Sequence, residues 1–73
     1  MTERQKELIG DNLRAFIHNF GDVRIEQYTP DRGFYVYFPP EDETYIQYCY
    51  SIDYLDGWLY GVVQGANMKV FKK

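Results

Sequence analysis

Apolar positions recur at three- and four-residue intervals through the start of the chain. Leu8, Ile9, Leu13, Phe16, Ile17 and Phe20 fall within one half of a helical wheel, and Glu3, Glu7, Asp11, Arg14 and His18 fall on the other. The spacing predicts one amphipathic helix over about residues 3–20. Thr2 stands at the N-cap position, and Gln5, three residues later, completes the capping-box spacing. Acidic groups early and Arg14 and His18 late suit the helix dipole. Gly21 is placed to end the helix in a left-handed conformation. Gly10 weakens the middle by roughly 1 kcal/mol.

After Gly21 the period changes to two. Val23, Ile25 and Gln27 alternate with Arg24, Glu26 and Tyr28, which predicts a strand over about 22–29. Phe34, Val36 and Phe38 alternate with Tyr35 and Tyr37 in a second strand, about 34–38. A four-residue loop at Pro30 to Gly33 joins them and pairs Ile25 with Phe38, so their aliphatic residues share a face. Pro39 and Pro40 stop the second strand. A third strand is expected over about 44–55. Asp56-Gly57 then reads as a two-residue hairpin turn into a fourth strand, about 58–64. "NMKVF" suggests a possible fifth strand over 67–71. The expected fold is α+β: an N-terminal helix on one face of a four- to five-stranded antiparallel meander, in one small domain spanning 1–73.

This register assigns the faces. Ile46, Tyr48, Tyr50 and Ile52 share the helix side with Leu59, Gly61 and Val63. The open side receives Tyr28, Tyr35, Tyr37, Tyr45, Gln47, Cys49, Ser51, Asp53, Trp58, Tyr60, Val62 and Gln64, with Tyr37 opposite Tyr45. One helix can cover only one face of a sheet. A single β-bulge in the third strand would exchange the faces beyond it, so that Tyr48 and Tyr50 trade places with Cys49 and Ser51.

Composition sharpens this picture. Aromatic residues make up 19% of the 73 residues, with eight Tyr and five Phe. Large rings fill a small core efficiently, which accounts for part of that number. Net charge is −3, and the only basic cluster, Lys69, Lys72 and Lys73, reads as a solvated tail. A stripe that could neutralise phosphates is missing, so nucleic acid is not an expected partner. The single cysteine allows no intramolecular disulfide. No apolar run approaches the roughly 18 residues of a membrane span. "MTERQKE" lacks the apolar core of a signal peptide. A cytoplasmic protein away from the membrane is the expectation.

Catalytic chemistry finds little support. His18, the only histidine, falls on the solvated side of the wheel. With one Cys and one His there is no zinc pattern. Asp53 is expected opposite Tyr60, without a second acid or a pocket. Glu41, Asp42 and Glu43 form an acidic loop without calcium-loop spacing. Glycines 57, 61 and 65 do not have phosphate-loop spacing. No catalytic residue, metal or cofactor is expected. Single exposed tyrosines on strands need no explanation, but so many on one uncovered face point to a contact surface. The expected function is a non-enzymatic interaction module that uses Tyr28, Tyr35, Tyr37, Tyr45, Gln47, Trp58 and Tyr60. Its occupant would be a second copy, as a homodimer, or a protein partner. The alternative is a small acidic inhibitor or mimic that binds a basic site through Glu41, Asp42 and Glu43. A small-molecule pocket between helix and sheet is a third, minor option.

Overall fold

The computed structural model describes residues 2–29 and 32–65. Its first helix, α1, spans Glu3–Phe20 and is fixed at both ends by its own caps. Thr2 Oγ1 accepts the Gln5 backbone N–H at 3.1 Å, and Gln5 Oε1 accepts the Thr2 N–H at 2.9 Å. Two otherwise orphaned donors are satisfied reciprocally. At the far end Gly21 has φ 109°, and its N–H reaches the Ile17 carbonyl at 2.9 Å. Positive φ there requires a residue without a Cβ.

Three short strands follow: β1 (Arg24–Glu26), β2 (Phe34–Tyr37) and β3 (Gln47–Cys49). They form one antiparallel sheet in the order β1-β2-β3. Ile25 pairs with Val36, two residues from the expected partner Phe38. An even displacement leaves every side chain on its expected face, because strand side chains alternate with period two. Val36 and Phe34 are buried on the helix side, and Ile25 packs against them. On the hairpin loop, Arg32 N–H donates to the Thr29 carbonyl at 3.1 Å.

The sheet has three strands, not four or five, and the chain closes with a second helix, α2 (Ile52–Val63). Residues 58–64, expected as a strand, therefore lie mostly within a helix. Asp56-Gly57 is no hairpin turn but the middle of α2. The possible fifth strand, 67–71, lies outside the described residues.

The physical reason is burial. Ile52, Leu55, Leu59 and Val62 recur at helical spacing, and Trp58 and Val63 flank them on the same side. A hairpin at Asp56-Gly57 would split these residues between two faces. The helix buries Leu55, Trp58, Leu59 and Val62 together. Burying a large apolar side chain is worth about 1.5–3 kcal/mol. Three additional burials outweigh the roughly 1 kcal/mol that a mid-helix glycine costs. Ser51 provides the start signal: its Oγ accepts the Tyr54 N–H at 3.1 Å. Asn12 on α1 donates to Asp56 Oδ1 at 2.9 Å and ties the two helices together.

Both helices lie on the same side of the sheet. Ile9 and Phe16 from α1 meet Phe34, Val36 and Cys49 from the sheet and the four buried residues of α2. Phe16 is ringed by Phe20, Phe38 and Trp58, with centroids 5.0, 5.5 and 6.2 Å away.

Gly57 gives a direct test of helix against hairpin. Apart from its chain neighbours and the adjoining helix backbone, a Cβ there would meet no heavy atom within 4 Å, and the site is exposed. Gly57→Ala is expected to raise stability by about 0.5–1 kcal/mol in urea denaturation, by helix propensity. A loss of stability would point to a positive-φ turn instead.

Candidate interaction face

The open face of the sheet depends on one irregularity at the start of β3. Ile46 N–H donates to the Val36 carbonyl at 2.8 Å, while Gln47 is the register partner of Val36. Two residues of the third segment thus oppose one residue of β2, the arrangement of a β-bulge. Before it, Tyr45 points to the open face, where its ring meets Tyr35 and Tyr37 at 4.9 and 6.4 Å. Beyond it the faces exchange. Tyr48 pairs with Tyr35 on the open side, and Cys49 pairs with Phe34 on the core side. Tyr48, expected in the core, is 40% exposed, and Cys49, expected on the open face, is fully buried. Tyr50 is likewise exposed and packs on Tyr54 at 4.9 Å.

Five tyrosines form one connected cluster on this face. Tyr35 is its centre, with Tyr28 at 5.2 Å, Tyr45 at 4.9 Å and Tyr48 at 5.0 Å. Tyr28 and Tyr37 share a hydrogen bond between their hydroxyls. That bond, reinforced by burial, raises the Tyr37 pKa above an ordinary tyrosine, and the nearby Arg24 charge opposes the shift. Tyr37 is buried, so it supports the cluster; Tyr28 and Tyr45, 61% and 46% exposed, present it to solvent.

Gly33 makes room for the Tyr48 ring. A Cβ there would sit 2.3 Å from the Cys49 carbonyl oxygen and 2.7 Å from the Tyr48 hydroxyl. The backbone of the hairpin loop therefore approaches β3 more closely than any side chain allows.

Arg24 closes the opposite end. Its guanidinium lies 3.9 Å from the Tyr37 ring centroid. Nε donates to the Pro40 carbonyl at 2.7 Å and Nη2 to the Asp42 carbonyl at 2.8 Å, with Glu26 Oε2 at 3.4 Å. Arg24 and Tyr37 are a register pair, so this clasp pins the turn after Phe38 beside the tyrosines. The side chains of Glu41, Asp42 and Glu43 on that turn are exposed. The Phe38–Pro39 bond within this connection is cis.

Of the seven residues expected to make the contact, three lie elsewhere, as do Cys49 and Val62 of the wider expected face, both fully buried. Trp58 is buried in the core, 8% exposed, because α2 replaces the fourth strand. Tyr60 is exposed on α2, beyond the sheet from the tyrosine cluster. Gln47 shares the side of Val36 and bonds the Tyr48 carbonyl at 2.9 Å. Tyr48 is the cluster residue that alternation alone assigns to the core side, and the bulge, which leaves no mark in the sequence, turns it outward.

Other chemistry is sparse. Among the described residues no three His, Cys, Asp or Glu side chains group to hold a metal ion. No helix among them is long and apolar enough to cross a membrane. A groove of about 360 Å³ lies between α1 and β1, floored by Leu13, Ile17, Val23 and Ile25. Lys6 and Arg14 stand at its rim, each already paired, with Glu3 at 3.7 Å and with Asp11. The rim therefore offers a ligand little net charge. Burial pushes the Cys49 thiol up to about 12. No family model, curated protein or solved structure matches this chain.

Two measurements follow from this geometry. Gly33→Ala is expected to destabilise the fold by about 1–3 kcal/mol through overpacking, read as a lower denaturation midpoint. Alkylation of Cys49 should be negligible in the native state at pH 9, where a free thiol is about half ionised but this one is roughly 500-fold less so. Labelling should then track unfolding, rising with urea. Rapid labelling without denaturant would contradict the buried placement.

Proposed function

We propose that this chain is a non-enzymatic interaction module whose contact surface is the open tyrosine face, and that a protein partner occupies it. One observation carries the reading. Tyr28, Tyr45 and Tyr48 are each 40% exposed or more, yet all three are joined through Tyr35 into one patch. Monomeric proteins rarely leave such a contiguous patch uncovered. Tyrosine is also enriched among the residues that dominate binding energy, since it offers a large rigid surface with a polar tip. Neither helix is left to cover the patch, because both are used on the other side.

The acidic-inhibitor alternative has one supporting observation. Arg24 holds the 41–43 turn against the Tyr37 end of the face, so the acids border the rings. The two readings thus share a surface. A single buried cysteine fits a reducing compartment such as the cytoplasm.

Tyr45→Asp tests the reading. Tyr45 is substantially exposed, so the melting temperature should stay within a few degrees of wild type. Loss of an interface anchor is worth about 2 kcal/mol or more. Proteins retained by wild type should then bind at least about 30-fold more weakly. Unchanged retention by a folded Tyr45→Asp chain would remove the tyrosine face from the interaction.

A further inference from the structure

We infer that the occupant of the tyrosine face is a basic segment of a partner protein, whose arginine side chains lie on the Tyr35, Tyr45 and Tyr48 rings with the 41–43 turn taking their charge. This rests on the interaction reading and names the chemistry of the partner.

The molecule already contains the mode of contact. Arg24 lays its guanidinium over Tyr37 at 3.9 Å while its N–H groups donate to the Pro40 and Asp42 carbonyls. A planar cation above a ring, with hydrogen bonds at its edge, is the geometry arginine supports and lysine does not. The Tyr37 position is filled by the chain itself. The neighbouring positions are open. Tyr45 meets Tyr35 at 76° and Tyr48 meets it at 56°, so these rings do not stack face to face. An edge-to-face contact occupies at most one face of one ring in each pair, and Tyr45 and Tyr48, 46% and 40% exposed, keep ring surface open to a cation.

The surrounding charge selects the same partner. Glu26 lies on this face, and Glu41, Asp42 and Glu43 border its Tyr37 end. The basic group among them, Arg24, is engaged by the turn, by Glu26 and by the ring. Arg32 stands apart, at the hairpin end. Phosphate groups would meet this array of carboxylates unfavourably, which disfavours nucleic acid. A second copy is a poor source of arginines for these rings, because its one basic cluster, Lys69, Lys72 and Lys73, holds only lysines.

The test uses the intact chain and three synthetic peptides of one Gly/Ser sequence bearing arginine, lysine or citrulline at the same positions. Binding is read from amide chemical shifts in NMR titrations. Saturable shifts are expected at Tyr35, Tyr45 and Tyr48. The arginine peptide should bind about threefold or more tighter than the lysine peptide, and about tenfold or more tighter than citrulline. The triple variant E41Q/D42N/E43Q should weaken arginine binding and flatten its salt dependence. Tyr45→Leu should erase the preference for arginine over lysine, whereas Tyr45→Phe, which keeps the ring, should retain it.

Equal binding of the citrulline peptide overturns the inference, as does an arginine preference that survives Tyr45→Leu. Shifts at the same tyrosines on concentrating the protein alone, with a doubled mass in light scattering, would make a second copy the occupant. That outcome sinks the cationic partner but leaves the interaction face standing. The face itself falls only on unchanged retention by Tyr45→Asp.

Discussion

Phe16 against Trp58 is the contact from which the rest of the molecule follows. Phe16 lies one turn before the end of α1 and Trp58 near the middle of α2, and both belong to the one buried cluster. A chain this short can build a single core, and large rings fill it with few residues. Once both helices are committed to one side of a three-stranded sheet, no further element among the described residues covers the other side. The uncovered tyrosines are therefore a consequence of how the core closes.

That second side is nevertheless an organised surface. Tyr28 is held by its hydroxyl bond to Tyr37, Tyr37 by the guanidinium above it, and the acidic turn by the same arginine. Rigid aromatic groups held in advance lose little conformational freedom on binding, which favours affinity. Residues distant in the chain, from Arg24 to Tyr48, are brought to one surface where aromatic faces and carboxylates adjoin. Neither chemistry alone distinguishes this protein from many small acidic domains. Under the proposed function, their juxtaposition is what selects a planar cation.

The bulge at Ile46 and Gln47 is a small feature with a large effect. It turns Tyr48 outward to complete the cluster and turns Cys49 inward to complete the core. Without it, a buried cysteine and an exposed tyrosine would exchange environments, at a cost to both core and face.

The sequence by itself determined the elements whose signals are local. The Thr2–Gln5 box, the apolar stripe and Gly21 defined α1, and strict alternation placed Ile25, Val36, Tyr35 and Tyr37 on their sides of the sheet. Tyr28 and Tyr45 also lie where alternation put them. Two things were decided only in three dimensions. Residues 51–63 carry both a helix cap with helical spacing and an Asp-Gly turn signal. The helix prevails because Phe16 and Leu59 must be buried against the same sheet face, a long-range gain larger than either local preference. The bulge has no mark of its own in the sequence: Tyr48 and Cys49 both fit a strand, and only the closing of the core, which buries Cys49 completely and leaves Tyr48 40% exposed, settles which one points in.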